Sequence, residues 1–95
     1  MARRKPRFRV VSQALVHGQV IGAFRAEYPT FGAAARKAAR DAKTRGYHTT
    51  VEDVTQGPYS HREGYLAICT PQRKRGRSYA QCKFSSRGRQ LLAVR

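Results

Sequence analysis

The residues with the most evident chemistry are arginines and lysines, and they are clustered. Arg3, Arg4, Lys5, Arg7 and Arg9 open the chain. Arg36, Lys37, Arg40, Lys43 and Arg45 follow within one Ala-rich run. Arg73, Lys74, Arg75 and Arg77 form a third group, with Lys83, Arg87 and Arg89 behind it. Arg outnumbers Lys fifteen to five. A guanidinium offers a planar fork that grips phosphate through two parallel bonds and stacks on bases, whereas an ammonium acts as a point charge. The pattern suits contact with a polyanion rather than bond-making. All the residues just named except Arg9, Arg45 and Lys83 are candidate phosphate contacts.

Catalytic patterns are missing. The chain has no Gly-rich phosphate loop, no HExxH and no GxSxG. Glu52 and Asp53 are neighbours, so in a strand they point to opposite faces and cannot act as an acid/base pair. His61 with Glu63 is the nearest approach to a hydrolytic pair, and nothing around it completes a site. The expectation is a protein that is not an enzyme and needs no cofactor.

Metal ligation has no better support. His17, His48 and His61 are far apart, and Cys69 and Cys82 belong to no CxxC, whereas a zinc site needs about four converging ligands. A two-residue turn at Arg75-Gly76 would set Cys69 directly opposite Cys82. With no signal sequence in view, a cytoplasmic, reducing setting and two free, half-buried thiols are expected.

The overall charge agrees with the clusters. Twenty Lys and Arg face five acids, a net charge of +15, and residues 1–26 and 64–95 contain no acid at all. Self-repulsion of this size disfavours a compact monomer unless a polyanion relieves it. Nucleic acid, DNA or RNA, is the first candidate because its phosphates release counterions on meeting Lys and Arg. An acidic protein surface, met by a small inhibitor or adaptor of the phage or plasmid kind, is the second. A structural place in a ribonucleoprotein is the third. An anionic membrane face is the remaining polyanion; no apolar run approaches the ~20 residues of a membrane-spanning helix, and no membrane partner is expected.

These side chains need elements to position them. Residues 1–7 read as a flexible basic arm, and residues 8–95 as a single domain with a basic C-terminal segment. Phe8–Val16 and Val20–Tyr28 alternate as two strands around His17-Gly18-Gln19. Pairing Val16 with Val20 gathers Phe8, Val10, Ala14, Val16, Val20, Phe24, Ala26 and Tyr28 on one face and sets Arg9 opposite Glu27. Thr30 can cap a helix over Phe31–Arg45, stopped by Gly46. Phe31, Ala34, Ala35, Ala38 and Ala42 form its inward stripe, and Arg36, Arg40 and Lys43 point outward. Asp41 can bridge to Lys37 or Arg45 one turn away. Phe24 and Phe31 are expected to be buried between hairpin and helix.

Further on, Tyr47–Val54 reads as a strand with Thr49 and Val51 on one side. Thr55–Gly64 is a polar loop and Tyr65–Thr70 a short strand. Pro71–Arg77 is a basic loop unless the Arg75-Gly76 turn makes it part of a hairpin. Ser78–Phe84 is a strand, Ser85–Arg89 is loop-like, and Leu91–Val94 closes the chain as a strand or a short helix. Tyr59, Tyr65, Tyr79 and Phe84 can stack on unpaired bases; the alternative places Phe84 and Tyr65 in the core and Tyr79 at its rim. The fold class is α+β: a ββαββ(β) antiparallel sheet with one main helix on one face.

Gly57-Pro58-Tyr59-Ser60-His61, between two predicted strands, resembles the Gly-Pro-x-His loop of double-stranded RNA-binding domains with one residue added. A helix followed by three strands is also that family's order. The resemblance covers about half the chain and implies duplex RNA as a partner. The N-terminal hairpin is foreign to the family, and its second helix, opened by basic residues, is not visible in residues 85–95.

Overall fold

The computed structural model describes residues 7–54 and 65–93. Seven elements run in the order β1 (Phe8–Val16), β2 (Gln19–Tyr28), α1 (Phe31–Arg45), β3 (His48–Asp53), β4 (Tyr65–Lys74), β5 (Arg77–Phe84) and α2 (Ser86–Ala93). The strands form one antiparallel sheet in the order β2-β1-β3-β4-β5. The fold is α+β, with α1 laid across one face and α2 beside it over β4 and β5.

Helix α1 follows the expected bounds because its signals agree. The Thr30 hydroxyl accepts a bond from the Ala33 N–H at 3.3 Å, and Gly46 ends the helix at φ +69°. Its buried stripe is Phe31, Ala34, Ala35, Ala38 and Ala42, joined by Asp41. Alanines let the helix lie close enough for the buried Thr49 hydroxyl of β3 to donate to the Ala38 carbonyl at 2.9 Å. The core beneath it is Phe8, Val10, Val51, Leu66, Ala67 and Cys69. Phe31 is its aromatic hub, 5.7 Å from the Phe8 ring and 6.3 Å from Phe84.

The N-terminal hairpin corrects one expectation. Its turn has two residues, His17 at φ +53° and Gly18 at +79°, so Val16 pairs with Gln19 rather than Val20. Both central residues at positive φ make the turn type whose twist matches the strands. The expected register holds only from Phe8↔Tyr28 to Ala14↔Gly22, Arg9↔Glu27 included. A bulge then leaves Ile21 without a partner and absorbs the difference. Val16 and Val20, assigned to the apolar face, are exposed.

Three further corrections fall in the C-terminal half. Strand β4 continues to Lys74 and β5 begins at Arg77, so residues 71–77 are hairpin, not loop, turning at Arg75 (φ +52°) and Gly76 (+78°). Pro71 is tolerated because β3 accompanies β4 only as far as Cys69. Cys69 and Cys82, directly opposite in this hairpin, are joined as a disulfide rather than left as thiols. Residues 86–93 are helix throughout. Ser85 caps it, its hydroxyl accepting from the Gly88 N–H at 3.0 Å while its own N–H donates to the Leu66 carbonyl at 3.0 Å. Gly88 is buried against that same carbonyl, where any Cβ would collide with the backbone of Leu66. A residue that reads as a helix breaker is what lets α2 dock.

Candidate nucleic-acid interface

The candidate phosphate contacts separate into two kinds. Arg7 and Arg87 both point at Asp53, each with a terminal nitrogen 3.0 Å from Oδ2, and the Asp53 side chain is fully buried. Arg7 also lies 5.2 Å over the Phe8 ring, and its backbone pairs with Tyr28 and Val54. These two arginines tie the start of β1, the end of β3 and the first turn of α2 together. A carboxylate buried at a strand end needs such compensation. Lys37 is likewise engaged, 3.0 Å from Asp41 Oδ1, and Arg9, outside the candidate set, pairs with Glu27 at 3.1 Å.

The second kind makes no ion pair among the described residues. Arg36, Arg40 and Lys43 stand exposed along the outer stripe of α1. Arg73, Lys74, Arg75 and Arg77 stand exposed at the end of the β4–β5 hairpin, and Arg89 stands exposed on α2. The fold brings the first two groups together: Lys43, Thr44 and Gly46 at the end of α1 share a groove with Pro71, Arg73 and Ser78. A basic track therefore runs down the helix stripe to Arg73 of the hairpin, whereas the Lys74–Arg77 pair alternates onto the face of Gln72 and Tyr79. Its helical part spans about 10 Å. Lys43 and Arg45 also meet the partial negative charge of the helix C-terminus. Arg3, Arg4 and Lys5 lie outside the described residues, as do Tyr59 and the Gly57–His61 loop.

The expected stacking residues also divide. Phe84 is half-buried against Phe31. Tyr65 and Tyr79 are exposed, and their partners Glu52 and Gln72 place them on the sheet face away from the helices. Phe24, expected in the core, is 58% exposed and stacks on Tyr47, ring centroids 5.6 Å apart. Its partner Ser12 shows that it does face the helix side, but β2 is the sheet's edge and α1 stops short of covering it. This aromatic pair was missed by sequence reasoning. Strand periodicity gives a face, whereas edge position emerges only from the order of strands.

Among the described residues, no group of His, Cys, Asp and Glu could hold a metal ion, and no helix is long and apolar enough to cross a membrane. The helix at 31–45 is followed by three antiparallel strands, and a helix over residues 86–93 comes after them. No protein-family model matches the chain, and no curated protein or solved structure is significantly similar to it.

Proposed function

We propose that this protein binds nucleic acid through its phosphate backbone, with little sequence preference and without catalysing a reaction. The observation that carries the reading is the track of cations along α1 and the β4–β5 hairpin that have no acid partner among the described residues. Among the described residues, Glu27, Asp41 and Asp53 are each paired with a base away from this track. Folding has thus engaged Arg7, Lys37 and Arg87 with acids, one carboxylate shared between the two arginines, and left the track charged. Surface charge held together against its own repulsion favours a polyanionic ligand. Contacts of this kind orient a protein on a strand and carry little sequence information. The order of α1, three strands and α2 supports duplex RNA as the first ligand to try. The cytoplasmic setting expected from free thiols loses that support with the Cys69–Cys82 disulfide, a bond that persists best in an oxidising compartment.

The test is a salt titration of binding to duplex RNA, duplex DNA and single strands. Affinity should fall steeply with salt on at least one of them. Replacing Arg36, Arg40 and Lys43 together with Gln keeps helix propensity close to the original. It should weaken binding on every sequence and flatten the slope of log affinity against log salt by up to ~0.9 for each phosphate no longer neutralised on duplex DNA. Absence of binding at low ionic strength on all ligands would overturn the proposal and leave an acidic protein surface as the partner.

A further inference from the structure

A groove of about 260 Å³ opens between α1 and the β1–β2 hairpin, away from the basic track. One wall is Phe24, stacked on Tyr47 and 58% exposed. The floor is Val10 and Ala26 with two buried polar groups, Ser12 and Asp41. The Ser12 hydroxyl donates to Asp41 Oδ2 at 3.0 Å, and the Lys37 ammonium lies 3.0 Å from Oδ1. A carboxylate has about four acceptor positions; those two partners leave Asp41 with capacity to spare beside an open cavity. Lys37 and Arg45 stand at the rim.

These features specify a ligand. The space is smaller than the roughly 300–1,000 Å³ of sites for drug-sized molecules, so it suits one ring system. An exposed aromatic wall favours a flat π-face. A buried, still accepting carboxylate favours neighbouring N–H donors. Cations at the mouth favour a phosphate attached to that ring. Among nucleobases, guanine alone presents a ring N–H and an exocyclic amino group side by side on its pairing edge, the arrangement a carboxylate accepts through both oxygens. Adenine and cytosine present an amino group beside an acceptor, which would face Asp41 with repulsion. Uracil presents a single N–H between two carbonyls.

We propose that this groove takes a single unstacked guanine nucleotide, with the base against Phe24, its donor edge on Asp41 and its phosphate near Lys37 and Arg45. Unpaired bases at loops, bulges and ends are the ones that can be splayed into such a pocket. The inference deepens the nucleic-acid reading and rests on it for its biological meaning. It would add a base preference at one position to an otherwise unspecific grip on phosphates.

The experiment uses the whole protein, labelled with nitrogen-15, and titrates it with the 5′-monophosphates of guanosine, adenosine, cytidine and uridine at fixed ionic strength, with inorganic phosphate alongside. Guanosine monophosphate should shift the amides of Ala26, Lys37 and Tyr47 and bind about tenfold more tightly than the others, the scale of one well-made two-bond base contact. Phe24→Ala, at an exposed position, should weaken it by about tenfold, as loss of one stacking partner does. Asp41→Asn should erase the preference for guanine while leaving the Phe24-dependent part. If Asp41→Asn fails to fold, the nucleotide ranking and Phe24→Ala decide alone. Equal binding of all four nucleotides, shifts reproduced by phosphate alone, or no effect of Phe24→Ala would overturn the pocket. Guanine binding here by a protein that ignores every polymer would instead retain the pocket and overturn the phosphate-track reading.

Discussion

On the β4–β5 side of the helix-bearing face, Phe84 is half-buried against Phe31, Leu66 and Ala67 are fully enclosed, α2 docks on top, and a disulfide crosses the hairpin. On the β2 side, Phe24 shares the same face yet stands mostly in solvent, and Val20 and Ile21 are more exposed than most surface apolar groups. Both sides carry aromatic pairs at similar spacing, 6.3 Å for Phe31–Phe84 and 5.6 Å for Phe24–Tyr47. What separates them is cover. One helix cannot span five strands, and α2 adds its cover at β4 and β5. Stability should therefore concentrate on one side, and the other should tolerate change and remain open to ligands.

The largest effect expected is at the centre of the closed side. Phe31→Ala removes the ring that touches both Phe8 and Phe84 and should cost about 3–5 kcal/mol, enough to unfold a domain of ordinary margin. Urea denaturation followed by circular dichroism measures it. A midpoint close to the parent's would show that the Phe8–Phe31–Phe84 cluster does not hold the sheet to the helix.

Reducing the Cys69–Cys82 link comes next. The bridge spans a separation of 13 residues, and chain-entropy arguments value such a loop at about 3 kcal/mol. The native protein should resist alkylation until reductant is added and then lose stability. Two cysteines that label at once without reductant would return the protein to the free-thiol expectation.

Gly88→Ala tests how α2 closes this side. The added methyl would meet the Leu66 carbonyl, and overpacking of this kind costs about 1–3 kcal/mol. Amide exchange should rise in α2 and around Leu66 while β1 and β2 stay protected. Unchanged exchange would mean that α2 contributes no cover.

Much of this division was hidden in the sequence, for identifiable reasons. Helix α1 was legible residue by residue because Thr30, the alanine stripe and Gly46 all favour the same bounds. The pairing of Arg9 with Glu27 was legible for the same reason: charge and apolar alternation agreed. Helix α2 was legible only at its end, where Leu91–Val94 offers a strand or a short helix, because Gly88 lowers helix propensity and its compensation, close approach to Leu66, is a tertiary contact. The β1–β2 turn was not legible because a three-residue turn fits the apolar pattern of Phe8–Tyr28 well; a bulge at Ile21 keeps that pattern from Phe8↔Tyr28 to Ala14↔Gly22 with a tighter turn and gives it up beyond. Of the candidate site, the outer stripe of α1 followed from period alone. That Arg7 and Arg87 would be drawn to Asp53 could not, since the three are distant in sequence and meet only at a strand end.

The smallest effect expected is on the open side, and it bears most directly on the comparison. Phe24 has the size and alternation of a core residue, and truncating such a residue ordinarily costs several kcal/mol. Here more than half of its surface is already in water, so truncation forfeits little apolar burial. What remains is its stacking on Tyr47, a contact of about 0.5–1.5 kcal/mol in aromatic pairs. Phe24→Ala should therefore cost about 1 kcal/mol or less. A double-mutant cycle with Tyr47→Ala should recover most of that as coupling between the two rings. A loss near that of Phe31→Ala would mean that α1 reaches over β2 in solution, which would close the groove and make the two sides alike. A small loss with measurable coupling would fix the β2 side as the uncovered one, where an aromatic ring is kept in solvent at little cost to the fold.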